Sequence, residues 1–358
     1  MDVISKIGKR LASLIPEKEE AAKAASPSEV TEIVEEPQSS KPQKQLEDLI
    51  AEKKEADYAI VTDTSANLPL SSLGGAADPF TDPTSNGIFV IPFIYSNGTV
   101  EETCTDIYAF DGKGFYDKMR EGTRYYTSQV TPQTYCDFFR PLLEAGRDVL
   151  FVGMSSGISG SFDSARTAAE MLKEDFPDRK IELVDTRGAS LGEGLVTLKA
   201  QILRKVGTMI SDAAKALNTM SDHMCQIFTV DNLVYLKRTG RISNLAATVG
   251  MVLHIKPLLK GDKDGHIVCC GKVRGRKKAI EAMAESFAKW TKGKIPSMIG
   301  IAEADCMDDA NYLISLLKKI SDKMEIMLVC YEPVTGSHVG PGALALFFEG
   351  DTAFRLEA

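Results

Sequence analysis

Hydroxyl-bearing residues gather at three places in this chain, two of them with glycine, and each gathering has the makings of an anion site. The first is Met154-Ser155-Ser156-Gly157-Ile158-Ser159-Gly160-Ser161-Phe162, at the end of an apolar run, 148–154, and just before a helical pattern. In open α/β sheets that is where ligands bind. The first amides of a helix are unpaired and its dipole is positive there, so a carboxylate or phosphate is the natural occupant. Hydroxyls of Ser155, Ser156 and Ser159, with amides around Gly157 and Gly160, would be the donors. The competing reading is an ordinary serine-capped helix start. The second place is Thr127-Ser128-Gln129, followed by Val130-Thr131-Pro132, where Thr131 suits a cap and Pro132 the first helical position. The third is Gly336-Ser337-His338-Val339-Gly340-Pro341-Gly342-Ala343, whose glycines and proline fix a backbone shape around one histidine. His338 could donate to a carboxylate or to a serine holding one.

The first segment also contains G-x-S-x-G, as Gly153-Met154-Ser155-Ser156-Gly157. A serine hydrolase would use Ser155 as nucleophile, with Asp185 and His338 following in Ser–Asp–His order. Against this, a nucleophile elbow needs its helix to begin at once, and here Gly157-Ile158-Ser159-Gly160 intervenes. Two basic stretches, Lys237-Arg238-Thr239-Gly240-Arg241 and Lys272-Val273-Arg274-Gly275-Arg276-Lys277-Lys278, either greet an acidic partner or are solvated faces. The seven cysteines show no metal-ligand spacing, so no metal is expected and the thiols read as reduced, in a cytoplasmic protein. A net charge of -8 argues against nucleic acid as a partner. No apolar run approaches the roughly 20 residues of a spanning helix.

These loops need a scaffold, and the pattern supplies one. From Asp57 onward short β-rich runs alternate with helical patterns: strands at 58–62, 88–95, 148–154 and 180–184, helices at 110–120, 132–143, 161–175 and 192–205. Such alternation implies βαβ units and a mostly parallel sheet. Ser96-Asn97-Gly98 is a hairpin turn signal. The chain crosses into a second unit near 205–211. There helices are expected at 211–221, 276–291 and 308–320, with a further one carrying Leu233 and Leu236 and extending through Ala246 to Val252. Strands are expected at 225–230, 297–302, 325–331 and 343–349, with a hairpin around 267–270. That composition gives a mixed sheet. The fold class is therefore α/β, with a first domain over 57–210 and a second over 211–358.

Residues 1–56 differ in kind. Val3, Ile4, Ile7, Leu11, Leu14 and Ile15 recur at helical spacing opposite Lys6, Lys9 and Arg10. Residues 1–15 thus form a short basic helix that either touches an anionic membrane weakly or frays. After Pro16 the chain, rich in Glu, Ala, Ser, Pro and Lys, cannot bury enough apolar surface to fold, and a short helix is expected over 45–54. The extension is read as disordered or partly helical.

Taken together the motifs resemble the DegV family, which includes the fatty-acid-binding subunits of bacterial fatty acid kinase. The resemblance is carried, in family order, by Asp63-Thr64-Ser65, Thr127-Ser128-Gln129, the Ser155–Ser161 segment, Lys237-Arg238-Thr239-Gly240-Arg241-Ile242, Lys256-Pro257, Lys272-Val273-Arg274 and the glycine-rich Gly336–Ala343 segment. It covers about residues 57–350. Val130 stands where the family usually has proline, Asn67 where an acid is common, and 78–87 looks like an enlarged loop.

The resemblance implies a DegV-like two-domain fold with a long-chain fatty acid buried between the domains. It implies that Thr127 and Ser156 meet the carboxylate directly with His338 beside them, and that Ser155, Gly157 and Ser128 are second choices. It further implies that this chain is no enzyme but a lipid-binding subunit without a cofactor. A separate dihydroxyacetone-kinase-like subunit would phosphorylate the presented carboxylate, with Arg241 and Arg274 facing that phosphate or partner. The rival readings are the serine hydrolase and a lipid transport or sensing module with no kinase.

Overall fold

A computed structural model describes residues 54–75, 77–242 and 255–357. The amphipathic and tether expectations for 1–53, and the helical stretch expected through Ala246 to Val252, lie outside the described residues.

The first unit is built on β1 (Tyr58–Asp63), β2 (Ile88–Ile91), β6 (Asp148–Gly153) and β7 (Ile181–Asp185), in the order β2-β1-β6-β7 and all parallel. Every residue of β1 and all but the first of β6 are buried, which is why these strands read as continuous apolar runs rather than alternating ones. Among the helices, α1 (Gly112–Arg120) stands beside α2 (Pro132–Glu144), α3 (Ser161–Asp175), α4 (Leu191–Lys205) and α5 (Ile210–His223) in sequence. Helix α2 packs on α3, and α4 on α5. The start of α2 is the expected one: Thr131 accepts from the Thr134 amide at 3.2 Å and Pro132 occupies the first turn. Helix α5 packs on β6, β7 and α4, so the chain leaves the first sheet only at β8.

One expected strand is two. The run 88–95 breaks at Pro92, which has no N–H for a ladder. The next amide, Phe93, donates to the Thr64 hydroxyl at 3.0 Å instead. Beyond the break, β3 (Ile94–Ser96) pairs antiparallel with β4 (Glu101–Thr103) across the Asn97-Gly98 turn, and with β5 (Tyr126–Thr127) on its other side.

The second unit holds β8 (Met224–Thr229), β9 (Ile255–Gly261), β10 (Ile267–Arg274), β11 (Met298–Glu303), β12 (Glu325–Cys330) and β13 (Leu344–Glu349). Their order is β10-β9-β8-β13-β11-β12, antiparallel throughout except for β11 with β12. Among the described residues, the helices of this part of the chain are α6 (Val234–Arg238), α7 (Arg276–Thr291), α8 (Met307–Ile320), α9 (Pro333–Val339) and α10 (Ala353–Leu356).

Period-two alternation decides where this sheet's side chains go. Cys225 and Ile227 of β8, with Leu344, Leu346 and Phe348 of β13, face one core together with Phe287 and Trp290 of α7 and Leu313 and Leu317 of α8. Met224, Phe228, Ala345 and Phe347 face the other way and share a core with the first unit. The two units thus meet over the inner face of the second sheet.

Among the described residues no helix is long and apolar enough to cross a membrane.

Candidate functional site

A cavity of about 880 Å³, counting its open mouth, lies where the two units meet. Phe93 and Met154 from the first unit and Phe228, Ile267 and Phe347 from the second give it apolar walls. Polar groups enter from three segments, with Thr127, Ser128 and Gln129 from β5 and the residues after it, Ser159 from the loop before α3, and Thr335 and His338 from α9. Arg187, Gln226 and Arg241 also reach the wall.

His338 does not sit in a loop, as its glycine-rich surroundings suggest, but in the last turn of α9. The Glu332 carboxylate accepts from the Val334 and Thr335 amides, at 2.6 Å each, and Pro333 takes the first position, so the helix is capped and started locally. Gly336 is inside that helix because a Cβ there would collide with the Tyr116 hydroxyl, which donates to the Tyr331 carbonyl at 2.9 Å. Helix α9 is thereby pressed against α1, and His338 is aimed at β5. Its Nε2 lies 2.9 Å from the Thr127 hydroxyl oxygen. Burial, and then the nearby guanidinium groups of Arg241 and Arg238, push His338 down to about 3, so the ring is neutral at ordinary pH. Its Nδ1 is buried without a hydrogen-bond partner.

The serine-rich segment is held more tightly than its sequence shows. Ser155 is fully buried and its hydroxyl donates to the Gly265 carbonyl at 3.0 Å, at the tip of the β9–β10 hairpin. The Ser156 hydroxyl donates to Asp185 at 2.5 Å. The Gly157 amide donates back to Ser155 Oγ, and a Cβ on Gly157 would come within 2.6 Å of the Asp264 carbonyl. These three residues therefore shape the loop, and Ser159 is the serine of this segment on the wall. Ser155, Asp185 and His338 are in three separate hydrogen bonds, with Gly265, Ser156 and Thr127, and form no triad.

Of the two arginines singled out in the sequence, Arg241 is on the cavity wall and Arg274 is exposed at the end of β10. Arg241 donates to the Thr239 carbonyl at 2.5 Å, and no carboxylate among the described residues pairs with it. Burial lowers its guanidinium, yet arginine stays charged at any ordinary pH.

Two wall residues, Arg187 and Gln226, escaped the sequence reading. Gln226 carried a signal, being a polar residue inside the apolar run of β8. Arg187 sits just past the C-terminal end of β7, where the sheet rule points, with a left-handed φ of 49° that no sequence pattern announces. Its carbonyl accepts from Gln226 Nε2 at 3.1 Å, tying the two units together beside the cavity.

At the hairpin tip, Asp262, Asp264 and His266 could approach a metal ion. Asp264 is already paired with Lys263 at 2.9 Å, and Asp262 Oδ1 accepts the Asp264 and His266 amides.

The sequence model described as "Uncharacterised protein, DegV family" matches residues 57–351. The chain belongs to the DegV family. A DegV domain-containing protein of Clostridium perfringens is 34% identical over 295 residues, covering 82% of this chain and 98% of the relative. Among solved structures, a DegV family protein of Thermus thermophilus described as fatty-acid binding is 26% identical, with a TM-score of 0.69 over 82% of this chain and 99% of that one. A fatty-acid-binding DegV family protein of Streptococcus agalactiae is 25% identical, with a TM-score of 0.69 over 83% and 99%. The Fatty Acid Kinase B3 protein of Streptococcus pneumoniae, loaded with linoleic acid, shares the fold at 20% identity, with a TM-score of 0.69 over 82% and 100%. The DegV two-domain architecture expected from the motifs is thus the observed one.

Proposed function

We propose that this DegV protein binds one long-chain fatty acid in the cavity between its units, in the cytoplasm, with the carboxylate at Thr127. The observation that carries this reading is the Thr127–His338 pair set in the wall of a mostly apolar chamber. A neutral imidazole has one N–H. With it on Nε2, His338 donates to Thr127 Oγ1 and leaves the Thr127 hydroxyl hydrogen for an anion. Arg241 supplies the positive charge that a buried carboxylate requires. Ser128 and Ser159 stand beside it. Ser156 reaches the ligand only by turning its hydroxyl from Asp185; Ser155 and Gly157 act by shaping the loop.

Affinity comes from the tail. Burying a chain of about sixteen carbons, at about 0.8 kcal/mol per methylene, gains roughly 10 kcal/mol, and the polar groups then fix orientation. The Thermus and Streptococcus agalactiae relatives, both described as fatty-acid binding, agree with such a ligand. The chain's own role is presentation of the carboxylate to a dihydroxyacetone-kinase-like subunit for acyl-phosphate formation. The family motif order supports this, together with exposed basic residues Lys237, Arg238 and Arg274 near or beyond Arg241. The chain is then a binding subunit and not itself a catalyst, in keeping with the unassembled Ser155, Asp185 and His338.

Native mass spectrometry of the purified chain tests the ligand: a co-purifying mass of a long-chain fatty acid is expected, and failure to take up added fatty acid would overturn the reading. Addition of a fatty acid kinase subunit and ATP tests the presentation, with acyl-phosphate formed only when both chains are present.

A further inference from the structure

Behind the cavity wall, β1 ends in a buried acid cluster that the fatty-acid reading does not use. Asp63 Oδ1 accepts from the Ser65 amide at 2.9 Å, and its Oδ2 from the Met154 amide at 3.3 Å. Glu193, in the first turn of α4, is fully buried, and its Oε1 accepts from the Thr62 hydroxyl at 3.0 Å. Ser65 Oγ stands between them, 2.5 Å from Asp63 Oδ1 and 2.5 Å from Glu193 Oε2. A hydroxyl carries one hydrogen and can give it to only one of those oxygens. The other contact has to be spanned by a proton belonging to a carboxyl. Both oxygens of Asp63 already accept backbone N–H groups, so that proton belongs on Glu193. The chain runs from Glu193 Oε2–H to Ser65 Oγ–H to the Asp63 carboxylate.

The cluster touches the cavity through its neighbours. Asp63 fixes the amide of Met154, and Thr64, next to it, accepts the amide of Phe93; both Met154 and Phe93 line the wall. We propose that Glu193 is a positioning residue that works as a neutral acid, its O–H donating to Ser65 and the Ser65 O–H to Asp63 so that α4 is latched against the cavity wall, and that losing the Glu193 proton loosens the bound ligand. Only the last clause rests on the fatty-acid reading.

The groups facing the latch are all acidic or neutral. Thr62 and Thr197 flank Glu193, with Thr62 Oγ1 3.3 Å from Thr197 Oγ1 and the Thr197 hydroxyl donating to the Glu193 carbonyl. Asp63 and, farther off, Glu332 act on Glu193 through space, and Asp63 also faces the Tyr135 phenol of α2. No hydrogen bond from α5, β6, β8, β11 or β13, which also pack against α4, reaches the Glu193 carboxyl among the described residues. Burial, then the Asp63 charge, raises Glu193 well above the usual carboxyl range, and burial raises Asp63 to about 6. The folded chain therefore keeps a proton that the unfolded chain gives up above 4.5. Stability from this group is full below that value and is lost as pH rises through the folded value.

The test is thermal melting of the ligand-stripped full chain and of its Glu193→Gln variant from about pH 5 to pH 9. Glutamine offers an acceptor to Thr62 and an N–H to Ser65, as the neutral acid does. The wild type should melt lower as pH rises, while Glu193→Gln melts with a flatter profile and above the wild type at the alkaline end. Asp63→Asn, which sets an amide NH₂ against a backbone N–H, should melt lower at every pH. Equal slopes for wild type and Glu193→Gln, or a Glu193→Gln chain that does not fold, would overturn the latch. For the coupling, release of a pre-bound fluorescent fatty acid should speed up several-fold at alkaline pH in the wild type and stay flat in Glu193→Gln; parallel acceleration in both would overturn that clause. If neither protein takes up the lipid, the ligand reading fails while the melting curves still decide the latch.

Discussion

Thr127 and His338, 211 positions apart in the chain, meet through a 2.9 Å hydrogen bond that joins the short β5 strand of the first unit to helix α9 of the second. Both residues line the cavity, so the bond ties the proposed head-group site to the contact between units.

Thr127→Ala combined with Ser156→Ala removes the leading hydroxyl and the one held in reserve by Asp185. A hydrogen bond to a charged group contributes about 1.5–3 kcal/mol, so retention of a labelled fatty acid should drop by at least about tenfold. Unchanged retention in a binding titration would place the carboxylate elsewhere.

His338 gives the protein an acid limb. Its folded value, about 3, lies below the ordinary 6.5, so the unfolded chain binds a proton first as pH falls. Stability from this group is full above 6.5 and is lost as pH falls toward 3. His338→Gln should flatten the decline in melting temperature over that window, and a profile identical to wild type would contradict the buried neutral ring.

Gly336 sits in a helix, where alanine is ordinarily better by about 1 kcal/mol. Here the new Cβ would strike the Tyr116 hydroxyl, so Gly336→Ala should destabilise and weaken lipid retention. Adding Tyr116→Phe removes the struck atom and should restore much of both, at the cost of the Tyr116 bond to the Tyr331 carbonyl. Chemical denaturation of the single and double variants reads this out.

Glu332 holds α9 at its start. Glu332→Ala leaves the Val334 and Thr335 amides uncapped and should cost about 1–2 kcal/mol in denaturant unfolding. Because His338 is on the same helix, lipid retention should fall with it; a variant that lost stability alone would separate the cap from the site.

A fluorophosphonate should leave Ser155 unlabelled, since its hydroxyl is buried on the Gly265 carbonyl with no imidazole beside it. Mass spectrometry of the labelled peptide decides this, and modification at Ser155 would revive the hydrolase reading.

By itself the sequence determined the elements and the order of the motifs. The periodicity of 161–175 and 276–291 matches α3 and α7 residue for residue, because buried positions at helical spacing act within a single element. The buried runs of β1 and β6 were legible for the same reason, and the motif order led to the family.

Relations between distant residues were decided only by the tertiary structure. Nothing near Ser156 in sequence announces that its hydroxyl belongs to Asp185, so the serine segment looked freer than it is. The run 88–95 reads as one strand through Pro92, and only the structure shows the break there and the Thr64 hydroxyl that takes the next amide. Glu193 reads as an ordinary helix-start acid; burial against Ser65 and Asp63 makes it the holder of a proton. Hydrophobic period is a local property of the chain, whereas the partner of a polar atom depends on which segments the packed sheets bring together.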